Sequence, residues 1–233
     1  MRIKTAFALA ALPALFAIAP ASAATYTFQG NNLPGNTRTG DHTNITATYN
    51  NNTNLFTWSS TFTENGSGTL AEGAWLVVSD GENPKKHVDE YAILYLDGLT
   101  ETVSIYNYNG VNSANSYRRE QYLGSTALNV IDTGNSKTFE FSLDATDINN
   151  NASFGSEWQG IRFDNNIGIW FHGASNLTTQ YRTDGSLEDF RPGVTGWYDV
   201  GNEMATAVPE PGTAVALGLV GLVAAAQRRK RSS

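Results

Sequence analysis

The fold is decided by residues 56–62, which read Phe-Thr-Trp-Ser-Ser-Thr-Phe. The aromatic rings all stand at even positions, so in an extended strand they point to one face while Thr57, Ser59 and Thr61 point to the other. Residues 139–143, which read Phe-Glu-Phe-Ser-Leu, follow the same rule. A hydrophobic period of two predicts β-strands with one buried and one wet face.

The same pattern continues outward from this stretch, with Asn, Thr, Ser and Gly between short apolar runs. Two runs, Ala74–Val78 and Tyr91–Leu96, are apolar throughout, which predicts central strands covered on both faces. The clearest hairpin turns at Asp97-Gly98, where glycine would adopt a positive φ at low cost. The other predicted strands are Thr25–Phe28, Ile45–Tyr49, Phe56–Phe62, Thr102–Tyr108, Leu128–Ile131, Thr138–Leu143, Ile161–Phe163, Ile167–Phe171 and Trp197–Val200.

These strands predict an all-β fold, a single antiparallel β-sandwich of jelly-roll or lectin-like kind. No 3.6-residue period is sustained between the termini, although residues 144–151 fit one helical turn. The expected core includes Trp75, Val77, Ile93, Tyr95, Phe139, Phe141, Ile161 and Ile169.

Residues 1–23 have the layout of a signal peptide. Arg2 and Lys4 precede an apolar run at residues 6–18, which is too short to span a bilayer core of about 30 Å. Ala21 and Ala23 then form an A-x-A cleavage signature, so we predict cleavage after Ala23. The alternative is a retained N-terminal anchor, which would need a longer apolar stretch.

The C-terminus consists of three blocks. Val208-Pro209-Glu210-Pro211 comes first, and its prolines allow a helix to begin only after Pro211. The uncharged stretch 213–226 follows; as a helix it would reach about 21 Å, so it spans a membrane only with snorkelling side chains or a thinned bilayer. The basic tail would stay cytoplasmic, which places residues 24–207 across the membrane. This tail contains Arg228, Arg229, Lys230 and Arg231.

Pro-Glu-Pro, a short apolar helix and a terminal Arg-rich cluster, in this order, resemble the PEP-CTERM sorting signal of Gram-negative bacteria. The resemblance covers Val208–Arg231 only. It implies that an exosortase, a membrane cysteine transpeptidase, recognises Pro-Glu-Pro and releases the protein or transfers it to the cell surface. The implied route is export, a transient stage in the inner membrane with the ectodomain outside the cytoplasm, and then the surface or the medium. A plain C-terminal membrane anchor is the alternative.

The segment between the two signals, residues 24–207, is long enough for one domain with its own core. It carries nine Lys and Arg against twenty-one Asp and Glu, a formal charge of −12. Nucleic acid is therefore not an expected partner, because phosphate binding needs basic patches. The chain has no cysteine, which excludes disulfides, zinc–thiolate sites and a cysteine nucleophile.

The most function-like loop is Asp80–Glu90, which lies between the two most apolar strands. Its carboxylates are hard oxygen ligands of the kind that Ca²⁺ takes, so calcium is the one cofactor to consider. A solvated loop is the alternative, in which Lys85 and Lys86 pair with the acids. The candidate calcium ligands are Asp80, Glu82, Asp89 and Glu90.

Other metal and catalytic patterns fail. Residues 147–151 begin like an EF-hand, but Ala152 stands where the loop needs glycine, so an Asx-rich turn is predicted. We find no nucleophile elbow, phosphate loop or dinucleotide fingerprint, and no catalytic residue is assigned. No transition-metal site is predicted, because no metal-ligand spacing joins the histidines, His42, His87 and His172.

Aromatic side chains are the remaining resource, because sugars stack on flat rings. Six of them are surrounded by polar residues in the sequence: Tyr106, Tyr108, Tyr117, Tyr122, Trp158 and Trp197. Four of these are the candidates for glycan stacking: Tyr106, Tyr108, Trp158 and Trp197. The alternative is that they belong to the core, as most aromatic residues of a β-sandwich do.

Two functions stay open. The first is a non-catalytic extracellular matrix or carbohydrate-binding protein associated with exopolysaccharide, whose partners would be the export machinery, signal peptidase, exosortase and extracellular polysaccharide. The second is a secreted glycan-acting hydrolase, with a site assembled from distant strands. A groove with two carboxylates at catalytic distance would favour the hydrolase, and one lined by aromatic and amide groups would favour binding.

Overall fold

The computed structural model describes residues 24–66, 69–81, 83–110 and 115–209. Its helical segments are short: α1 (Thr146–Asn149), which confirms the expected helical turn, and three 3₁₀ turns at Pro84–Lys86, Ser116–Arg118 and Ala152–Phe154. The strands are β1 (Ala24–Asn31), β2 (Gly35–Asn36), β3 (Asp41–Asn50), β4 (Leu55–Thr63), β5 (Gly73–Ser79), β6 (Ala92–Asp97), β7 (Thr102–Asn107), β8 (Tyr122–Ala127), β9 (Asn129–Asp132), β10 (Ser136–Asp144), β11 (Asn166–Ser175), β12 (Thr178–Tyr181), β13 (Leu187–Arg191), β14 (Val194–Thr195), β15 (Trp197–Met204) and β16 (Thr206–Pro209).

Every pairing between these strands is antiparallel, which confirms the predicted all-β class. The smaller main sheet has the order β16-β1-β3-β4-β10-β9. The larger has the order β2-β15-β11-β5-β6-β7-β8, and β14 also pairs with β11. Strands β12 and β13 form a separate hairpin.

The two main sheets share one hydrophobic core. Phe56, Trp58 and Phe62 of β4 all point into it, as the even spacing of residues 56–62 predicts. The ring centroids of Trp58 and Phe171, which come from opposite sheets, lie 5.5 Å apart. The other face of the smaller sheet is polar, and there the hydroxyls of Thr48 and Thr57 lie 2.6 Å apart.

Strands β5 and β6 are buried on both faces, as their apolar sequences predict. Alternate residues enter the shared core, while Trp75 and Tyr95 enter a second core on the outer face of the larger sheet. The β12–β13 hairpin covers this second core with Leu187 and Phe190, and Tyr117 joins them. All eight expected core residues are buried: Trp75, Val77, Ile93, Tyr95, Phe139, Phe141, Ile161 and Ile169.

The turn between β6 and β7 differs from the prediction. The positive φ belongs to Glu101, at 54°, and not to Gly98. Glycine is needed at position 98 for space, because a Cβ there would lie 2.5 Å from the carbonyl oxygen of Glu72 and 2.7 Å from the Phe139 ring. Asp97 closes the turn by accepting a 2.9 Å hydrogen bond from the backbone N–H of Leu99.

The prediction of a strand at Ile161–Phe163 is wrong. The segment pairs with no strand, and the side chain of Asn149 forms hydrogen bonds with its backbone instead. Asn149 Oδ1 accepts from the N–H of Ile161 at 2.7 Å, and Asn149 Nδ2 donates to the Ile161 carbonyl at 3.2 Å. The strands that the sequence pattern missed lack an apolar alternation: β2, β8, β12, β13, β14 and β16.

Candidate functional site

A cavity of about 350 Å³ opens where β3 and β5 end and where β1 and β11 begin. Its side chains come from separate parts of the chain: β1, the end of β3, the β3–β4 turn, the residue after β5, and the irregular segment before β11. We call it the Asp80 groove, and it is lined by Tyr26, Tyr49, Asn51, Asn54, Asp80, Gln159, Arg162, Phe163 and Asp164.

Two buried aromatic rings lie at the inner side of the groove. The rings of Tyr49 and Phe163 are 6.1 Å apart between centroids, and both residues are almost fully buried. The Tyr49 hydroxyl donates to Asn54 Oδ1 at 2.7 Å and accepts from Asn149 Nδ2 at 3.2 Å. Burial raises the pKa of Tyr49, although the hydrogen bond from Asn149 opposes the shift. Two amide side chains therefore hold the Tyr49 hydroxyl in place, while Phe163 packs against the Tyr49 ring.

The more accessible lining is polar. Asn51 Oδ1 accepts from the backbone N–H of Ala24 at 2.9 Å, which fixes the start of β1 beside the groove. Arg162 donates to Gln159 Oε1. Asp164 Oδ1 accepts from the N–H of Asn166 at 3.1 Å. Amide, guanidinium and carboxylate groups around an aromatic floor match a ligand rich in hydroxyl groups, because hydroxyls both donate and accept hydrogen bonds.

The sequence singled out Asp80 but not the residues around it. Asp80 Oδ1 accepts a 2.9 Å hydrogen bond from the Tyr91 hydroxyl, and burial and then the Asp80 charge raise the pKa of that tyrosine. The loop it begins also reaches the groove segment, since the N–H of Gln159 donates to the Glu90 carbonyl at 2.6 Å. Tyr26, Tyr49 and the segment 159–164 carry no motif that could have marked them.

The expected calcium ligands act separately. Asp80 accepts a hydrogen bond from Tyr91, while Glu90 Oε2 lies 3.0 Å from His87 Nδ1. Asp89 is exposed, and Glu82 lies outside the described residues. Among the residues that the structure describes, no group of three or more His, Cys, Asp or Glu side chains could hold a metal ion.

Three of the four expected glycan-stacking residues are corrected by their burial. Tyr106, Tyr108 and Trp158 are at most 5% exposed, so no ring face is open to a sugar. Each has an internal partner instead. The Tyr106 hydroxyl accepts from the N–H of Leu187 at 2.6 Å, the Tyr108 hydroxyl donates to the Lys85 carbonyl at 3.1 Å, and Trp158 Nε1 donates to the Ile148 carbonyl at 2.7 Å.

Trp197 is the fourth, and its side chain is 46% exposed. Trp197 begins β15 on the outer face of the larger sheet and lies opposite Asn36 of β2. On the side of β11, Phe171 lies opposite Tyr198, so the same register brings His172 next to Trp197. His172 stacks on Trp75 with centroids 4.7 Å apart. Burial and then the Lys85 charge lower the pKa of His172 to about 4, so its ring is neutral at pH 7. We call Asn36, His172 and Trp197 the Trp197 face.

The end of the described chain lies at the edge of the smaller sheet. Strand β16 pairs with β1 so that Pro209 lies opposite Ala24 and Val208 opposite Thr25. Strand β16 thus ends at Pro209. Residues 207–231 match the PEP-CTERM protein-sorting motif. The motif implies an exported protein that is targeted to an exosortase and sorted to the cell surface.

The comparisons with curated proteins and with solved structures gave no match for this chain. Several predicted features lie outside the described residues: the cleavage signature at Ala21 and Ala23, the motif residues Glu210 and Pro211, the apolar stretch 213–226 and the basic tail Arg228–Arg231. Within the described ranges, no helix has the length and apolar character needed to cross a membrane.

Proposed function

We propose that the mature domain is a non-catalytic glycan-binding module of the extracellular matrix, sorted by an exosortase and associated with exopolysaccharide. The observation that carries the proposal is the lining of the Asp80 groove, which combines aromatic rings with amide, guanidinium and carboxylate groups. A lectin-like character of the two-sheet fold is part of the same proposal.

The charge of the domain favours a neutral glycan. Residues 24–207 carry a formal charge of −12, which would repel a polyanionic polysaccharide at low ionic strength. Within the groove, the lining combines Arg162 with three amides and two carboxylates, groups that can both donate hydrogen bonds to sugar hydroxyls and accept them. Tyr26 is only half-buried, so it is the ring best placed to contact a sugar.

A glycan-acting hydrolase is the second candidate, because Asp80 and Asp164 line the same groove. Hydrolysis needs one carboxyl group as an acid and another as a base or nucleophile. Both side chains already accept a hydrogen bond from the protein, Asp80 from Tyr91 and Asp164 from the Asn166 backbone. These bonds suit a structural role better than a catalytic one.

Binding to the host's own exopolysaccharide and to a glycan array tests the proposal. Tyr26→Ala and Arg162→Gln should each weaken binding about tenfold, the effect of losing roughly 1.4 kcal/mol of contact energy. Trp197→Ala is the matched control, since it removes an exposed aromatic ring outside the groove. Weakening by Trp197→Ala alone would move the site to the Trp197 face.

The same samples distinguish binding from hydrolysis. Release of reducing ends that disappears in Asp80→Asn or Asp164→Asn would establish the hydrolase and exclude the non-catalytic role. Intact-mass measurement tests the sorting route independently. The protein recovered from outside the cell should begin at Ala24 and lack Arg228–Arg231, whereas an exterior species that retains this tail would contradict exosortase processing.

A further inference from the structure

The two processing signals meet the folded domain at one place. Strand β1 begins at Ala24, directly after the predicted signal-peptidase site, and β16 ends at Pro209, inside the sorting motif. The register puts these two residues opposite each other. The first half of Val208-Pro209-Glu210-Pro211 is thus part of the sheet.

The hydrogen-bond pattern of β1 shows which residues hold β16. The N–H of Asn51 donates to the Ala24 carbonyl at 3.1 Å, and Ala24 is the first residue of β1. Even-numbered residues of β1 therefore direct their backbone groups toward β3. Because these groups alternate in direction along a strand, the odd-numbered Thr25 and Thr27 bond to β16.

The partners of Thr25 and Thr27 on β16 are Val208 and Thr206. Ala207 and Pro209 direct their backbone groups to the outside of the sheet by the same alternation. Pro209, which has no N–H, therefore removes no bond from the ladder, as expected of a proline on an edge strand.

Backbone pairing is the main attachment of β16. All four of its side chains are exposed, and it is the outermost strand of its sheet. Detaching it would uncover no core residue of its own, so it belongs to the part of a fold that opens at low cost. The core beneath β1 contains Phe28 and would stay covered.

We propose that β16 is a release strand: exosortase acts on the chain while β16 is detached from β1, and pairing with β1 slows the removal of the tail. Pro209 belongs both to β16 and to the Pro-Glu-Pro segment, so binding of this segment by the transpeptidase competes with the pairing of β16. The proposal rests on exosortase processing of this tail. It adds that the stability of one strand pair sets the rate.

A pair of proline substitutions tests the proposal. Thr206→Pro removes a ladder hydrogen bond to Thr27, while Ala207→Pro places the same ring where the N–H points outward. In a host with an exosortase, pulse-chase labelling should show the tail lost about fivefold faster from Thr206→Pro, since one backbone hydrogen bond contributes about 1 kcal/mol. Ala207→Pro should stay within about twofold of the wild type. Equal rates in both variants would overturn the proposal.

A disulfide lock tests it in the opposite direction. The chain has no cysteine, so Thr27→Cys with Thr206→Cys introduces a single possible bridge between directly opposed residues. The bridged chain should lose its tail at least tenfold more slowly than the wild type, and a reductant should restore the wild-type rate. Each single-cysteine variant, which cannot form the bridge, should lose its tail at the wild-type rate. An unchanged rate in the bridged chain would refute the release strand. A wild-type chain that never loses its tail would instead refute exosortase processing itself.

Discussion

Acid should destabilise this domain through His42. Its side chain is 1% exposed, and neither ring nitrogen has a hydrogen-bond partner. The ring stacks between Phe62 and Phe171, with centroids 4.9 and 5.0 Å away. Burial in this aromatic cluster lowers the pKa of His42 to about 3. The native fold therefore holds the imidazole neutral.

The size of the effect follows from proton linkage. A histidine in the unfolded chain has a pKa of about 6.5, so between pH 6.5 and 3 the unfolded state binds more protons than the folded state. The contribution of neutral His42 to the free energy of unfolding is thus complete above pH 6.5 and is lost as the pH falls toward 3. Between pH 7.5 and pH 5.0 the loss amounts to about 2 kcal/mol, a large part of a total stability of about 5–15 kcal/mol.

Urea unfolding at pH 7.5 and pH 5.0 measures this loss. His42→Phe keeps a flat ring in the stack and removes the titration, so its stability should fall by about 2 kcal/mol less than that of the wild type. His172→Gln is a second, independent test, because burial also lowers the pKa of His172 to about 4, so this variant too should lose less stability between the two pH values than the wild type. An equal drop in wild type and His42→Phe would refute the reasoning.

Two further outcomes are expected. Trp75→Ala should lower the free energy of unfolding by about 3–5 kcal/mol, because it leaves a cavity in the second core. Trp197→Ala should change the free energy of unfolding by about 0.5 kcal/mol or less, and equilibrium unfolding of both variants in urea checks the difference. Calcium should leave the stability of the domain unchanged in a thermal melt, because Asp80 and Glu90 already contact Tyr91 and His87. A gain in the free energy of unfolding of about 2.7 kcal/mol, at a calcium concentration a hundredfold above the dissociation constant, would contradict this expectation.

The strands could be predicted where one face of a strand is buried and the other is wet. In β4 the even positions carry the large rings, and this alone determines which side faces the core. Residues 161–163 were wrongly predicted as a strand, because their apolar side chains reach the core although the segment pairs with no strand. Its backbone is bonded to the side chain of Asn149, a contact between residues that the sequence does not connect.

The candidate site was harder to predict than the fold. Tyr106 was expected at the surface because its neighbours are polar, but Ser104 and Asn107 are buried too. Asn107 can be buried because its amide donates to Glu120 at 2.7 Å and accepts from the N–H of Gln121 at 2.9 Å. Polar neighbours therefore do not show that a residue is exposed, because a residue such as Asn107 can find internal partners that the sequence does not reveal.

Strand β1 joins the two proposals. Tyr26 lines the Asp80 groove and lies opposite Ala207 of β16, while Asn51 lines the groove and holds the N–H of Ala24. A glycan bound to these side chains would stabilise β1 in the sheet, and with it the strand against which β16 pairs. Coupling between two sites is reciprocal, so a detached β16 would in turn weaken glycan binding in the groove. A bound glycan is therefore expected to slow the removal of the tail, while the mature domain, in which β16 can pair with β1 again, keeps its affinity for the glycan.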